Sequence, residues 1–427
     1  MTTKIPLRII HTGDIHIGLS LRKVSRNEEH IQILDWLIDT IAEHNIDVLL
    51  IAGDVFETAN PDINAQTIFF NFLRKLVDIP SLRQVIITAG NHDSAGKLQS
   101  LCPVTEKLGI HIVGAIANRS AAWNDWIIPI VIDGEVQAVV NAIPYVSEYR
   151  LGIHWNLESK ESPIDIIRNE LRSLYTNMAT FAKEKYPDVP LIGMGHLTAM
   201  DQNYQLGEIP QRIHRILEKG LDGDIFGNDY AYVALGHIHR KYKVRGSANA
   251  WYSGSLLPCS IAEAEDGSQR GVWMIELDGN PSSRPQPVEI LAPVLRQMIR
   301  WMGQDKDVSD YLRNLTWTEK FPPFVYLSLE TASYAKCVNI VRNTLLEMAE
   351  KISEQEDGEQ SKQLPIIAKI DGKVTDRAIS KEEKHQICSP ESLMDPLKLF
   401  QDFVEFKEGT KASPEQIQLF MDAIQFK

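Results

Sequence analysis

A short polar segment, TAGNHDS (88–94), closes the apolar run QVII (84–87). In this segment an amide, an imidazole and a carboxylate follow a glycine, which lets the backbone turn sharply. These three side chains are among those best suited to face a metal ion or a phosphate. The segment is therefore either a polar turn or part of a reaction centre.

Four other segments also place Asp or His side chains at the ends of apolar runs. A single Asp or His at such a place is usually a turn residue, a helix cap or a satisfied core residue. In an open α/β sheet, however, the loops that leave the carboxyl ends of the strands line one crevice, so the recurrence predicts one shared site. The segments are GDIH with Asp14 and His16, GDVF with Asp54, GMGHL with His196, and LGHIH with His237 and His239.

Together with Asn91, these side chains form a set of two aspartates, one asparagine and four histidines, without cysteine. Such a set suits manganese, iron or zinc. Seven ligands are too many for one tetrahedral ion, but they suffice for two ions if one carboxylate bridges, and two ions about 3.5–4 Å apart are the usual clamp for phosphoester hydrolysis. We expect Asp14, His16 and His239 on one ion and Asn91, His196 and His237 on the other, with Asp54 bridging.

The metal assignment also predicts a role for His92 and Asp93 of the TAGNHDS segment. His92 is not needed as a ligand, so we expect it to face the phosphate, where it stabilises the transition state or assists the leaving oxygen. Asp93 is expected to orient its neighbours.

The formal net charge of −13 would ordinarily disfavour a polyanionic partner. Two divalent ions, however, bring four positive charges against two ligand carboxylates, so the site itself would be cationic. Two basic segments also follow ligand motifs, LRKVSR (21–26) and HRKYKVR (239–245), and each is either a contact for a polyanion or a solvated loop. The candidate residues for binding a polyanion such as a nucleic acid are Arg22, Lys23, Arg26, Arg240, Lys241 and Lys243.

The elements that must position these residues alternate along the first two-thirds of the chain. Short apolar runs such as VLLIAG (48–53) and YVALG (232–236) alternate with helical patterns at 28–46 and 63–78, which predicts an α/β layered architecture. At 427 residues the chain exceeds one usual core. We expect a first domain over 1–280, a small α+β domain over 288–376 and two helices within 390–427.

Composition narrows the class of protein. Four scattered cysteines, Cys102, Cys259, Cys337 and Cys388, include no C-x-x-C pair, which argues against a disulfide framework or a thiolate zinc site. We expect no signal sequence, because MTTKIPLRIIHTGD (1–14) reaches a charged segment before an apolar signal region could form, and no membrane span, because no apolar run approaches the required length. These features predict a soluble, cytoplasmic protein with reduced thiols.

The five motifs, in their order along the chain, resemble those of the calcineurin-like metallophosphoesterase superfamily and, within it, those of the family of SbcD nuclease subunits. The resemblance reaches about residue 280 and includes DIHIGLSL, AGNHDS, GHLT, YVALGHIHR and YSGSLLPCS...E. It implies a layered metallophosphoesterase fold with a capping domain, two Mn²⁺ ions (Mg²⁺ or other divalent ions being possible) on the seven residues named above, and His92 facing the phosphate. Glu57 stands where some relatives carry His.

The resemblance also implies partners. The expected activity is cleavage of DNA, as a double-strand exonuclease and a single-strand or hairpin endonuclease, in end processing, repair, recombination and replication. The expected protein partner is an SbcC/Rad50-type ATPase, with a homodimer of this chain inside a heterotetramer. The two terminal helices (395–406 and 413–426) would bind the base of the ATPase coiled coil, although packing on the small domain is the alternative.

Three other functions compete with this interpretation. Ser/Thr phosphatases share the metal core, but GDVFETANP lacks the arginine of their GDxVDRG motif. A stand-alone phosphodiesterase for a small nucleotide would not need the added domain and helices, and a non-enzymatic scaffold would not need the complete ligand set. ATP hydrolysis must come from a partner, because GNHDSAGKL has neither the spacing nor the Ser/Thr of a P-loop.

Overall fold

The computed structural model describes residues 6–115, 123–153, 161–199, 221–246, 248–331, 334–353 and 363–374, together with a few positions between 397 and 417. The chain divides into two compact units. The first comprises residues 1–301, 315–327 and 357–369, and the second comprises 302–314, 328–356 and 370–427.

Seventeen strands and eight α-helices lie in this described part of the chain. The strands are β1 (Leu7–Thr12), β2 (Ser20–Leu21), β3 (Val24–Ser25), β4 (Val48–Ala52), β5 (Gln84–Thr88), β6 (Ile110–Val113), β7 (Ile127–Ile132), β8 (Glu135–Asn141), β9 (Leu191–His196), β10 (Tyr232–Gly236), β11 (Tyr242–Lys243), β12 (Ala250–Tyr252), β13 (Gly271–Leu277), β14 (Val288–Leu291), β15 (Met298–Gln304), β16 (Phe324–Thr331) and β17 (Ile366–Val374). The helices are α1 (Asn27–Glu43), α2 (Ile63–Val77), α3 (Ala95–Gln99), α4 (Cys102–Thr105), α5 (Pro163–Lys185), α6 (Ile261–Glu265), α7 (Val308–Asn314) and α8 (Tyr334–Ser353).

The first unit is built on two six-stranded sheets. One sheet has the order β14-β13-β1-β4-β5-β6, with β1, β4, β5 and β6 parallel. The other has the order β11-β12-β10-β9-β8-β7, with β12, β10, β9 and β8 parallel. Each sheet therefore has a parallel centre whose carboxyl ends lie along one edge.

Alternating side chains explain how the first sheet is covered on both faces. Ile9 and Leu50 belong to the same apolar cluster as Val139 and Val233 of the second sheet. Ile10, the neighbour of Ile9, belongs instead to the cluster that includes α1 and α2. Because successive strand residues point to opposite faces, the two sheets pack face to face and helices cover the outside. The predicted α/β layering is thus confirmed.

Local sequence signals account for the helices. The apolar residues Ile33, Leu37 and Ile41 recur on one face of α1 and are buried. Asp62 caps α2, because its carboxylate oxygen accepts a hydrogen bond from Ala65 N at 2.7 Å. Pro163 begins α5, at a position where a missing N–H is tolerated.

In the second unit, α7 and α8 pack together: Ser309 Oγ lies 2.8 Å from Thr344 Oγ1, and Arg313 pairs with Glu347 at 2.7 Å. Strands β15, β16 and β17 form a three-stranded sheet. The domain boundaries given above stay a prediction, and the two predicted terminal helices fall almost entirely outside the described residues. Across the described residues, no helix is long and apolar enough to cross a membrane.

Candidate metal centre

All seven predicted ligands lie at or just beyond the carboxyl ends of parallel strands. The first sheet supplies four of them and the second supplies three. They are Asp14 and His16 after β1, Asp54 after β4, Asn91 after β5, His196 at the end of β9, and His237 and His239 after β10. The packing of the two sheets brings these five strand ends to one place.

Asp54 lies at the middle of the cluster. One of its carboxylate oxygens, Oδ2, is 3.3 Å from Nε2 of His196 and 3.7 Å from Nε2 of His16. These two histidines come from different sheets. A single carboxylate oxygen therefore faces imidazoles on both sides.

Three short contacts extend the cluster outward from Asp54. On one side, Nε2 of His16 lies 3.0 Å from Nε2 of His239. On the other, Oδ1 of Asn91 lies 3.0 Å from Nε2 of His196 and 2.8 Å from Nδ1 of His237. A continuous series of potential ligand atoms thus runs from His239 to His237.

Asp14 is fully buried beside this series. Its two carboxylate oxygens accept the backbone N–H of His237 at 2.8 and 3.0 Å. Ligand atoms of Asp14, Asp54 and His196 all lie within 4.8 Å of one another, close enough to share an ion.

The glycines that precede the ligands let the backbones approach closely. A Cβ on Gly236 would lie 1.8 Å from the carbonyl oxygen of Ala52, and one on Gly90 would lie 2.0 Å from Oδ1 of Asp54. Only glycine fits at such distances. Close approach is therefore the physical reason for the glycines before Asn91 and His237.

Several ligands also adopt backbone angles that residues with side chains rarely adopt. The φ angles of Asp14, His16 and Asp54 are 51°, 53° and 49°, and that of His237 is 97°. Positive φ costs free energy at non-glycine residues and is concentrated at functional sites. The surrounding structure therefore holds these side chains in strained but defined positions.

Asp93 fixes the two loops that carry Asp54 and Asn91. Its Oδ2 accepts the backbone N–H groups of Val55 at 3.1 Å and Gly90 at 2.8 Å, and its Oδ1 accepts that of Phe56 at 2.9 Å. A carboxylate that binds main-chain groups of both loops has the orienting geometry expected from the sequence.

Oxygen atoms of Ala52, Glu57 and Glu263 lie behind three of the histidines, and only Glu57 among these residues was named from the sequence. The Nδ1–H of His196 donates to the carbonyl of Ala52 at 2.9 Å, which leaves Nε2 facing Asp54. Nδ1 of His16 lies 2.9 Å from the Glu57 carboxylate, and Nδ1 of His239 lies 3.2 Å from that of Glu263. Carbonyls and carboxylates behind a histidine are the usual partners of a metal ligand.

His92 is exposed at the edge of the cluster. Its backbone N–H donates to Oδ1 of Asp54 at 2.8 Å, and its Nδ1–H donates to the carbonyl of Glu57 at 2.8 Å. The ring lies 4.9 Å, centroid to centroid, from that of His16. Nδ1 of His92 is therefore engaged, and a ring nitrogen of His92 lies within 4.8 Å of potential ligand atoms of His16 and Glu57.

The electrostatics of the cluster differ between its histidines: burial and the neighbouring His196 lower the pKa of His237 to about 3, whereas carboxylates favour the protonated forms of His196 and His239. Burial alone would lower the pKa of His196, but its hydrogen bond to Asp54 and that carboxylate's charge raise the pKa to about 9. Burial likewise opposes protonation of His239, while hydrogen bonds to Cys259 and Glu263 raise its pKa to about 12. Burial would raise the pKa of Asp54, yet His196 and His16 hold it below its usual value.

These shifts and the donor set together fit a divalent cation. Buried carboxylates that stabilise protonated imidazoles would stabilise a metal ion in the same position, and oxygen and imidazole donors suit borderline or hard ions.

The six candidate DNA-binding residues have different environments. Arg22 and Lys23 are exposed at the turn between β2 and β3, and Arg240 is exposed after His239. Arg26, however, is only 1% exposed and pairs with Glu29, so its side chain lies inside the protein.

The other two lysines are partly occupied by neighbours. Lys241 pairs with Glu289, and its ammonium lies 5.7 Å from the centre of the Trp273 ring. The ammonium of Lys243 lies 5.4 Å from the centre of the Trp251 ring. Arg22, Lys23 and Arg240 are therefore the better placed of the six to meet a partner.

The chain is similar to known proteins over most of its length. Residues 7–241 match the model of the calcineurin-like phosphoesterase family. The SbcD subunit of the SbcCD nuclease from Rhodobacter capsulatus is 31% identical over 330 residues, which cover 76% of this chain and 80% of that protein. The proteins of the same name from Bacillus subtilis and Escherichia coli are 30% and 27% identical, covering 69% and 76% of this chain and 72% and 78% of their own.

Proposed function

Because this chain belongs to the calcineurin-like phosphoesterase family and, within it, to the family of SbcD nuclease subunits, we propose that it is the DNA-cleaving subunit of a complex with an SbcC/Rad50-type ATPase. Family membership makes the chain a metal-dependent phosphodiester hydrolase. The finer proposal adds double-strand exonuclease and single-strand or hairpin endonuclease activity, in DNA end processing, repair, recombination and replication. A homodimer within a heterotetramer is part of the same proposal.

The observation that carries this proposal is the central position of Asp54. Its Oδ2 faces imidazoles from both sheets, at 3.3 and 3.7 Å. We assign Asp54 as the bridge between two divalent ions, with Mn²⁺ as the first choice. The contact between His16 and His239 supports their assignment to one ion, and the contacts of Asn91 support its assignment with His196 and His237 to the other. Asp14 is assigned with His16 and His239, and its carboxylate also lies within 4.8 Å of ligand atoms of Asp54 and His196.

Two divalent ions, when bound, polarise the phosphodiester and supply activated water. The chain's own residues then orient the reaction. His92, fixed through Nδ1 by the carbonyl of Glu57, presents Nε2 to the phosphate and can exchange a proton with the leaving oxygen there. Asp93 keeps the loops of Asp54 and Asn91 in register.

The exposed cations Arg22, Lys23 and Arg240 support a polyanionic substrate. Arg22 and Lys23 occupy the turn between β2 and β3 with φ angles of 52° and 69°. Such angles are costly for residues with side chains. Both cations are held outward on a short hairpin that follows the loop carrying His16.

A cleavage assay tests the proposed activity. Purified protein would be incubated with labelled linear duplex, hairpin and single-stranded DNA, with Mn²⁺ or Mg²⁺, with and without the ATPase. We expect Mn²⁺-dependent cleavage of all three substrates, with the duplex cut more strongly in the presence of the ATPase and ATP. Hydrolysis of a small nucleotide diester without any cleavage of DNA would favour a stand-alone phosphodiesterase instead.

The ATPase partner is tested separately through the terminal helices. Their apolar residues recur at mainly helical spacing, and the Pro/Ser- and charge-rich segment 380–395 precedes them. Helices on such a tether commonly bind a partner. Truncation after residue 385 should abolish co-purification with the ATPase and preserve Mn²⁺-dependent cleavage of single-stranded DNA. A truncated chain that unfolds, or that still binds the ATPase fully, would assign these helices to the core.

A further inference from the structure

Cys259 is a thiol beside the candidate metal centre that the proposed mechanism does not use. It lies between β12 and α6 and is partly buried. Its sulfur, a ring nitrogen of His16 and a ring nitrogen of His239 all lie within 4.8 Å of one another. Three potential metal ligands therefore converge at a place where only two of them belong to the assignment above.

A hydrogen-bonded helix start holds Cys259 in this position. Ser260 Oγ accepts the backbone N–H of Glu263 at 3.3 Å, which caps α6. The Glu263 carboxylate in turn accepts the backbone N–H of Cys259 at 2.9 Å and lies 3.2 Å from Nδ1 of His239. One glutamate therefore positions both the thiol and the imidazole.

The two histidine nitrogens are already spaced as if around one ion. Nε2 of His16 and Nε2 of His239 are 3.0 Å apart. Two nitrogens bound at about 2.0–2.1 Å to one zinc ion lie roughly 3–3.4 Å apart, depending on the angle. The sulfur of Cys259 lies within 4.8 Å of one ring nitrogen of each histidine, and a thiolate bound to zinc has a sulfur–metal distance of about 2.3 Å.

Ligand chemistry selects which ions would use the thiol. Thiolate is a soft ligand that favours zinc and cadmium, whereas manganese and magnesium favour oxygen. Resting on the function proposed above, we propose that Cys259, His16 and His239 form a second, thiolate-containing site for zinc or cadmium. Binding breaks the S–H bond, forms a sulfur–metal bond and releases the proton to solvent. Because this site takes His16 and His239, its occupation inhibits cleavage.

Cadmium titration of the metal-free protein tests the site directly. Sulfur-to-cadmium charge transfer absorbs in the ultraviolet, so the wild-type chain should develop this band in proportion to one bound ion. The band should persist in Cys388→Ser, a matched control that removes another thiol. In Cys259→Ser it should disappear, and cadmium affinity should fall at least about tenfold. A band of equal size in Cys259→Ser would overturn the proposal.

A second measurement uses only the unaltered protein, so it does not depend on the folding of a variant. Alkylation of the wild-type chain by iodoacetamide would be followed at each cysteine by mass spectrometry. Zn²⁺ or Cd²⁺ should protect Cys259 at least about tenfold, and Mn²⁺ should not. Equal modification of Cys259 with and without Zn²⁺ would rule the site out.

A third experiment measures inhibition of DNA cleavage by Zn²⁺. Together the three experiments distinguish failure of the thiolate site from failure of the proposed function. In the Mn²⁺-dependent cleavage assay, the concentration of Zn²⁺ that halves the rate should be at least about tenfold higher for Cys259→Ser than for Cys388→Ser. Neither the absorbance nor the alkylation experiment contains DNA or the ATPase. A chain that cuts no DNA can still show the cadmium band, and a chain that cuts DNA without the band refutes only the thiolate site.

Discussion

The two halves of the candidate metal centre are oriented by different groups. In the carboxylate-backed half, His16 and His239 have the side chains of Glu57 and Glu263 behind them at 2.9 and 3.2 Å. In the main-chain half, which contains Asn91, His196 and His237, the Nδ1–H of His196 donates to a peptide carbonyl at 2.9 Å. Both halves meet at Asp54.

This difference has consequences for metal binding and for tolerance to mutation. A carboxylate behind a histidine raises its basicity and strengthens its bond to a cation, whereas a carbonyl fixes the ring without adding a full charge. The carboxylate-backed half therefore depends on two removable side chains. The main-chain half depends instead on the close approach of backbone segments. A side chain added at one of the glycines there should disrupt its geometry.

The largest effect is expected from Asp54→Asn, because Asp54 serves both halves. Loss of its charge should weaken both ions and lower cleavage by more than about 10⁴-fold, the scale seen when one member of a group that acts as a unit is removed. Mn²⁺ stoichiometry, measured by electron paramagnetic resonance, and the cleavage rate would be compared with Asp78→Asn, whose carboxylate is 72% exposed at the end of α2. Full Mn²⁺-dependent activity in Asp54→Asn would show that Asp54 does not bridge two metal ions.

The next largest effect is expected at His92, which adjoins both halves without being assigned to either ion. Removing a positioned acid or base costs about 10²–10⁴-fold in rate, so His92→Asn should lose that much turnover. The variant should retain two Mn²⁺ ions, because the backbone N–H that binds Asp54 is unchanged. Loss of one ion in His92→Asn would make this residue a ligand and would enlarge the carboxylate-backed half.

Gly236→Ala should distort the main-chain half through a steric clash with its backbone. The added Cβ would lie 1.8 Å from the carbonyl of Ala52, the group that orients His196. A displacement of about 1 Å at a reaction centre can cost about 10²-fold, and we expect this loss in cleavage together with weaker binding of one ion.

Gly96→Ala is the matched control for that variant, because a Cβ on Gly96 would meet nothing within 4 Å. Its cleavage rate and metal content should equal those of the wild type. If Gly236→Ala behaved in the same way, close backbone approach could not be what orients the main-chain half.

The ligands of the main-chain half could be predicted from the sequence. The glutamate behind His239 in the carboxylate-backed half could not. Glycine followed by Asp, Asn or His at the end of an apolar run is a local pattern, and the predicted runs 48–53 and 232–236 match β4 and β10 within one residue. Glu263, by contrast, lies 24 residues after His239, and only tertiary packing brings it there. Positive φ at Asp14 and its neighbours also has no local signal.

Arg26 shows the opposite case, in which a local sequence pattern predicts a surface residue and the fold buries it. Arg26 lies in the run LRKVSR, which suggested a surface that meets DNA. The structure instead places it at the start of α1, where it pairs with Glu29, and Glu29 also pairs with Arg296 at 2.8 Å. Arg296 lies 270 positions along the chain from Arg26, so no sequence window could contain both.

The smallest effect is expected from replacing a glutamate behind a histidine. This replacement tests directly whether the two halves of the centre are supported differently. Glu57→Gln keeps the shape of the side chain and the carbonyl that binds His92, but removes the charge behind His16. Losing a carboxylate of this kind costs about 10–100-fold in metal affinity. We expect Mn²⁺ titration to show one weakened ion and one unchanged ion, since the Glu57 carboxylate lies beside His16 and not beside the histidines of the main-chain half. Glu135→Gln, on an exposed part of β8, should leave both ions unchanged. If Glu57→Gln instead weakened both ions equally, the two halves would act as one, and the difference between their supports would have no functional meaning.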